Sequence, residues 1–377
     1  MKIYLLFTIL SCTLTLMGCR YETYPSQWNE SLITQINPEI TTWFESRQGE
    51  LIFGRIGEIR MDQDGNFYIS DLIKQNIKKF ERDGAFQMEI GQRGRSKGEF
   101  MNIKSFSIIP DNKETEQLMV LDHVNRLITA YSIKGDFITA HNPPIKTVFP
   151  RGQFQAIHID GSLKHLFLYK LFEGAPGENC IFHLFNDDFT SKLQCFGDFR
   201  NLRYHYSETF NHLTQAIPGS MVIDNSLTIY YSPRAYDGAI YKYTYNPKIQ
   251  SWTFSGELNG LVHHTKPYVE NAEPSDYRLA YRGSRMYGQL LNLSLGMFET
   301  SSGRFLIHFT WVTTPEGEGW FGMEKFNQNG ELEQYYKFFE IGIDENDHWP
   351  DVLYRDDEGY VYFANNHELP VIYRMNF

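Results

Sequence analysis

The sequence predicts an all-β protein, a six-bladed β-propeller built from four-stranded antiparallel blades. The first observation is one complete unit of strands and turns in residues 64–100, with a turn at Asp64-Gly65, a hairpin at Asp83-Gly84 and a glycine-rich return that starts at Gly91. The second is that an apolar strand followed by an aromatic hairpin recurs five more times before the chain ends. The third is the content of 29 Phe and 24 Tyr, which favours pleated structure.

Each repeat opens with a strongly apolar strand, which we interpret as the inner strand of a blade. The six predicted strands are residues 67–71, 118–122, 166–170, 227–231, 305–309 and 361–365. The sixth repeat stops after its third strand, so its fourth strand must come from another part of the chain. We predict that residues 33–56 supply this strand, because closure by the N-terminal segment removes an exposed edge.

The N-terminus carries the features of a lipoprotein signal peptide. Lys2 precedes an apolar stretch, residues 3–16, that is short for a transmembrane helix. The stretch ends in Leu16-Met17-Gly18-Cys19, which resembles the bacterial lipobox and implies cleavage before Cys19 and lipidation of that cysteine. We therefore predict a signal peptide (1–18), a lipidated tether (19–30) and a single propeller domain (31–377).

Three acyl chains on one cysteine are sufficient for stable membrane anchoring. Arg20, rather than Asp, follows the cysteine. By its resemblance to other Gram-negative lipoproteins, the chain is expected at the outer membrane, on its periplasmic or its surface face.

The charge of the chain restricts its partners. The formal net charge is −11, so nucleic acid is not expected as a ligand. The membrane is expected as a partner only through the lipid. A basic run interrupts the first repeat, and we interpret it as a solvated face that is matched to an acidic partner; it comprises Lys74, Lys78, Lys79, Arg82, Arg93, Arg95 and Lys97.

Two cysteines remain once Cys12 is removed with the signal peptide and Cys19 is lipidated. Cys180 and Cys195 flank a predicted hairpin turn, and a two-residue turn at Asp187-Asp188 would place them directly opposite each other. The sequence leaves open whether they form a disulfide or remain two buried thiols.

The first repeat resembles an NHL repeat. Residues 62–71 match the pattern Asp-x-x-Gly-Asn-x-Tyr-x-x-Asp, residues 77–86 match Ile-x-x-Phe-x-x-x-Gly-x-Phe, and residues 91–100 match Gly-x-x-Gly-x-x-x-Gly-Glu-Phe. The chain as a whole is similar to the six-bladed propeller lipoproteins of the Bacteroidetes type, within the NHL-like and TolB-like propeller group. The resemblance is specific over residues 60–137 and architectural elsewhere. It implies the fold, and most such lipoproteins have no assigned activity.

Longer spacings between the later repeats predict insertions near residues 197–219 and 255–295. The second insertion is rich in Arg and Tyr, a combination that suits sugars or carboxylates. Insertions of this length are typical of functional lids. The alternative is a cap that seals one end of the ring, with its arginines paired to local carboxylates.

The strand ends supply the candidate ligand-binding residues, which we expect at the mouth of the central channel. They are Asp71, Asp122, His123, Arg282, Trp311 and Asn365. Aspartates in such positions also bind the backbone of the adjacent turn, which is the structural alternative. His308 is expected either to face the channel or to be a core histidine with its hydrogen bonds satisfied.

We interpret the chain as a ligand- or protein-binding or scaffolding module rather than an enzyme, because it lacks a Gly-x-Ser-x-Gly elbow, a His-Glu-x-x-His motif and a Walker loop. No catalytic residue, metal or cofactor is predicted. An envelope protein or a glycan is the expected partner. The alternative is a propeller hydrolase or lyase acting on a glycan, lactone or peptide at the channel mouth, with calcium held by strand-end oxygens. A purely structural role in a surface complex is the third interpretation.

Overall fold

The computed structural model describes residues 28–45, 52–109, 116–143, 153–168, 180–198, 202–203, 219–263, 291–300, 305–314, 319–338, 351–366 and 369–376. These residues form strands and one short 3₁₀ turn, Glu30–Leu32. Among them there is no helix with the length and apolar character needed to cross a membrane. Cys19, Arg282 and the signal peptide lie outside the described residues.

Two strands precede the first blade, and six antiparallel sheets follow in chain order. The first two strands are β1 (Ile33–Gln35) and β2 (Glu39–Glu45). Blade 1 is β3 (Ile56–Met61), β4 (Phe67–Asp71), β5 (Asn76–Phe80) and β6 (Phe86–Ile90). A small parallel pair, β7 (Gln92–Arg93) and β8 (Glu99–Phe100), lies in the connection to blade 2. Blade 2 is β9 (Ile103–Ile109), β10 (Gln117–Asp122), β11 (Leu127–Ser132) and β12 (Phe137–His141).

The remaining blades repeat this order. Blade 3 is β13 (Phe154–Ile159), β14 (Ser162–Leu168), β15 (Cys180–Asn186) and β16 (Lys192–Asp198). Blade 4 is β17 (Ser220–Ile223), β18 (Thr228–Ser232), β19 (Ala239–Asn246) and β20 (Ser251–Asn259). Blade 5 is β21 (Asn292–Glu299), β22 (Phe305–Thr313), β23 (Gly319–Asn327) and β24 (Leu332–Phe338). Blade 6 contributes β25 (Asp351–Arg355), β26 (Val361–Asn365) and β27 (Val371–Asn376).

The first strands of the blades lie closest to the axis of the ring. β9 contacts β13, β17 contacts β21, β21 contacts β25, and β25 contacts β3, which in turn contacts β9. The apolar strands that we had interpreted as inner strands are therefore the second strand of each blade, and that assignment was wrong by one strand. A second strand has a strand on each side and a neighbouring blade on each face, which explains its apolar run; all of β4 is buried.

The predicted closure of the last blade is confirmed. β2 pairs antiparallel with β27, from Glu39 opposite Asn376 to Glu45 opposite Val371. Trp43 of β2 then packs between blades 6 and 1, with ring centroids 5.0 Å from Phe67 and 5.7 Å from Tyr362. β1 was not anticipated: it adds a fifth strand to blade 5 by parallel pairing with β24.

Cys180 and Cys195 form a disulfide. They are not directly opposite each other, as a two-residue turn would have placed them, because the turn is longer and the ladder shifts between Leu184 and Phe185. Cys195 therefore lies opposite His183, and Cys180 lies opposite Asp198. The bond joins the third and fourth strands of blade 3.

Candidate functional site

One end of the ring gathers most of the predicted site residues, and we call it the upper end. It is the end where each second strand finishes and where each fourth strand leads to the first strand of the next blade. Asp71, Asp122 and Asn365 are the last residues of β4, β10 and β26, and His123 follows β10. The strands that flank the two predicted insertions also meet at this end, with 199–219 and 260–291 between them, and most of both insertions lies outside the described residues.

The carboxylate of Asp71 is fully buried and holds two segments of backbone. Its Oδ2 accepts the amide of Gly54 at 2.9 Å, and its Oδ1 accepts the amides of Arg55 at 3.3 Å and Lys74 at 3.0 Å. The buried ammonium of Lys78 lies 3.0 Å away. Burial alone raises the pKa of Asp71, but these amides and the Lys78 ammonium outweigh it and hold the pKa below its usual value.

Asp122 repeats this arrangement in blade 2. Its Oδ2 accepts the amide of Met101 at 2.7 Å, and its Oδ1 accepts the amides of Asn102, Val124 and Asn125 at 3.0–3.1 Å. Both aspartates therefore tie the turn after the second strand to the segment that enters the first strand. Because these donors occupy the carboxylates, we assign the two side chains to turn stability and not to ligand contact.

The two turns belong to one continuous surface. Gln75, in the turn of blade 1, accepts the amide of Ile103 from blade 2 through Oε1 at 2.6 Å. Asn125, in the turn of blade 2, donates from Nδ2 to the carbonyl of Gly94 at 3.1 Å. These bonds fix the turn 72–75, the turn 123–126 and the connection 91–102 relative to one another.

The predicted basic run divides into two groups in the structure. Lys78 is buried on Asp71, and Lys79 lies 3.8 Å from Asp62, with its ammonium 5.2 Å from the centroid of the Tyr68 ring. Arg82 is exposed and pairs with Asp357 and Glu358 of blade 6. These three cations serve the packing within and between blades.

The second group is exposed at the upper end and consists of Lys74, Arg93, Arg95 and Lys97. Together with Arg55, which the predicted run did not include, these residues form an exposed cationic surface, which we call the basic surface. None of the five forms an ion pair with another residue in the described part of the chain. A nearby carboxylate, Glu99, accepts the amide of Ser96 at 2.8 Å and Nε2 of Gln92 at 2.9 Å. The surface is therefore strongly positive on a protein of net charge −11.

Two aliphatic side chains stand exposed in the same turns. Ile73 and Val124 each follow the strand-end aspartate by two residues, and they are 58% and 48% exposed. Their position is dictated by the turns that Asp71 and Asp122 hold. The basic surface thus combines cations with apolar side chains on a rigid backbone.

A second polar cluster lies buried between blades 4 and 5. His308 Nδ1 lies 2.7 Å from Oε2 of Glu324, and its Nε2 lies 3.1 Å from Oγ of Ser232 and 2.9 Å from Oγ of Ser294. Glu324 also accepts from the hydroxyl of Tyr236 at 2.8 Å. The four residues His308, Glu324, Ser232 and Ser294 have no exposed side-chain surface.

This cluster has the order of hydroxyl, imidazole and carboxylate found in serine hydrolases. A nucleophile must reach its substrate, however, and both serines are enclosed by the two blades. We therefore assign the cluster to the packing of blade 4 against blade 5. His308 is thus the core histidine of the two sequence-based alternatives. The hydrogen-bond partners of His308 come from positions far apart in the chain, so no local sequence motif predicts the cluster.

The other predicted residues are placed separately. Trp311 of β22 is partly buried, donates from its indole nitrogen to Oγ1 of Thr313 at 2.8 Å and packs on Phe321 at 4.6 Å between centroids. Asn365 pairs with Val371 within blade 6. They share the upper end with Asp71 and Asp122 but belong to blades 5 and 6. No group of three or more His, Cys, Asp or Glu in the described part of the chain is arranged to hold a metal ion.

Comparison with known proteins identifies the family. A family model described as 6-bladed beta-propeller (DUF5128) matches residues 48–255, more than half of the chain. The chain belongs to this family of six-bladed propellers. No curated protein matches the propeller in sequence.

The propeller is similar to two solved Bacteroides structures. A candidate exported protein of Bacteroides fragilis has 12% identity and a TM-score of 0.57, with 92% of this chain and 98% of that chain covered. A member of the duf4221 family from Bacteroides vulgatus has 10% identity and a TM-score of 0.57, with coverages of 91% and 98%. At these identities the likeness establishes the propeller fold alone.

Proposed function

We propose that the protein is an exported, lipid-anchored binding module that docks an acidic segment of a partner protein on the basic surface. The observation that carries the proposal is the group of five exposed cations that form no ion pair with any described residue, on an otherwise acidic protein. Such a surface attracts an anionic partner to one end of the ring, while the acidic remainder of the protein repels it. Anchoring through Cys19 would hold this module at the membrane.

The exposed aliphatic residues favour a protein partner over a glycan. A sugar is bound best by aromatic faces and hydrogen-bonding side chains, whereas Ile73 and Val124 offer only aliphatic area. A peptide that alternates acidic and apolar side chains would pair its carboxylates with the arginines and bury these two residues. The turns are already held by Asp71 and Asp122, so little conformational entropy is lost when the partner binds.

The docking surface is tested by site-specific photo-crosslinking in cells that produce the full chain. A photoreactive residue at position 73 is compared with one at position 249, because Ile73 and Ile249 have similar exposure but lie at opposite ends of their blades. We expect a discrete crosslinked protein from position 73 alone, whose mapped peptide is acidic. Crosslinks of equal yield from both positions, or a basic mapped peptide, would contradict the proposal.

Charge reversal tests the role of the cations. The triple variant K74E, R93E and R95E should lose the crosslink, and the interaction of the wild-type protein should weaken as salt rises. The control K134E with K248E reverses two exposed cations in turns of blades 2 and 4, against three in the basic surface, and should retain the crosslink. Anchoring is tested separately: C19A should move the protein from the membrane fraction to the soluble fraction.

A further inference from the structure

A groove lies between blades 4 and 5 at the lower end of the ring, opposite the basic surface. Its walls are the fourth strand of blade 4, the turn after β17, the end of β21 and the turn that joins β23 to β24. Its volume is about 280 Å³, at the lower limit of the range for small-molecule pockets, about 300–1,000 Å³. A groove of this size suits a ligand much smaller than a polymer.

Two carboxylates line one side of the groove. Asp224 is hydrogen-bonded by the hydroxyl of Tyr230, and its Oδ1 also accepts the amides of Ser226 and Thr228. Glu299 is partly buried, and burial together with the negative charge of Asp224 raises its pKa. A positive charge placed between these two carboxylates would relieve their repulsion.

A lysine, Lys242, lines the same groove. Lys242 lies on β19 opposite Tyr230 of β18, and its side chain is partly buried. In the part of the chain that the structure describes, neither Lys242 nor Glu299 belongs to an ion pair. Lys242 and Glu299, which carry opposite charges, therefore line the same groove without forming an ion pair with each other.

Glu257 of the groove behaves differently and supplies an internal control. Its Oε2 accepts from the guanidinium of Arg203 at 2.7 Å and 3.1 Å. This carboxylate is already compensated, so it has no need of a ligand charge. Among the described charged residues that line the groove, Lys242 and Glu299 therefore retain charges for a ligand.

We propose that the groove binds a small zwitterion of the α-amino acid type. The ligand ammonium faces Glu299, beside the turn carboxylate of Asp224, and the ligand carboxylate faces Lys242. A ligand with a single charge would compensate either Glu299 or Lys242 and leave the other charge uncompensated in a partly buried site. Gln328 and Asn329 border the groove and offer side-chain amides to the polar remainder of the ligand.

The test is calorimetric titration of the detergent-solubilised full chain with each of the standard L-amino acids. The tightest ligand is then compared with its methyl ester, which lacks the carboxylate charge, and with its 2-hydroxy acid analogue, which lacks the ammonium. We expect each analogue to bind about tenfold more weakly or worse, because a charge-assisted hydrogen bond is lost.

Variants assign the binding to this groove. K242M and E299Q should each weaken binding about tenfold, whereas E257Q, which lines the same groove but removes a charge paired with Arg203, should leave it within about twofold. Circular dichroism establishes that each variant is folded. The proposal is overturned if no amino acid binds, if the ester or the hydroxy acid binds as tightly as the zwitterion, or if folded K242M and E299Q bind as wild type does.

Discussion

The buried cluster between blades 4 and 5 makes a sharp prediction about stability. Glu324 accepts three donors: the amide of Leu261 at 2.6 Å on Oε1, and His308 Nδ1 and the Tyr236 hydroxyl on Oε2. In E324Q one carboxylate oxygen becomes an NH₂ group, so at least one of these donors loses its acceptor and faces another donor. A buried donor left unsatisfied costs about 1–3 kcal/mol, and the new NH₂ group in E324Q is itself a buried donor that faces one of these donors. We expect E324Q to lower the free energy of unfolding by about 3 kcal/mol.

The assay is guanidinium unfolding followed by tryptophan fluorescence, with hydrogen exchange of the Leu261 amide as a local readout. E331Q is the matched control, because Glu331 is exposed in the next turn of the same blade. Y236F removes one donor and leaves the other two, so its cost should be smaller than that of E324Q. If E324Q unfolds at the same denaturant concentration as E331Q and its Leu261 amide exchanges no faster, the assignment of the cluster to inter-blade packing is refuted.

Three further changes are expected to alter stability. D122A leaves four backbone amides without their acceptor and should cost about 3 kcal/mol in guanidinium unfolding; an unchanged midpoint would show that water replaces the carboxylate. C180S with C195S opens a loop of 15 residues and should cost about 3 kcal/mol under oxidising conditions, with wild type and variant converging once reductant is added. Burial lowers the pKa of His165 to about 4 from 6.5, so the unfolded chain takes up a proton first as the solution is acidified. The free energy of unfolding of the wild type should therefore fall by about 3 kcal/mol, through His165 alone, as the pH is lowered from 6.5 to 4. Urea unfolding measured across this pH range should show a weaker pH dependence for H165Q than for the wild type.

The propeller architecture could be predicted from the sequence because each blade repeats a local pattern of strands and turns. The turns at Gly65 and Gly84 have φ of +85° and +92°, as the Asp-Gly pairs indicate, and the missing fourth strand of the last repeat pointed to β2. The assignment of the apolar strands to the inner position failed because hydrophobicity reports burial on both faces, and in this fold the second strand is as enclosed as the first. The parallel strand β1 left no signal, since it is three residues long and pairs at an edge.

Less of the candidate site could be predicted from the sequence, because its contacts join residues that are far apart in the chain. Asp71 and Asp122 end their strands as predicted, but the number of amides that converge on each carboxylate depends on backbone folding that spacing alone does not encode. The groove charges lie on strands of two blades, with Lys242 and Glu299 separated by more than fifty residues. Contacts of that kind become visible only when the blades are packed.

The pairing of β2 with β27 sets an order of events during folding. Glu39 and Asn376 are opposite each other although nearly the whole polypeptide separates them, so this ladder has the highest loop-closure entropy of the molecule to overcome. The four antiparallel strands of every other blade are neighbours in the chain, whereas the sixth blade cannot close until β27 has been synthesised. A truncated or stalled chain therefore leaves the ring unclosed and β2 as an unpaired edge, a state that a protease or chaperone can distinguish from the finished molecule.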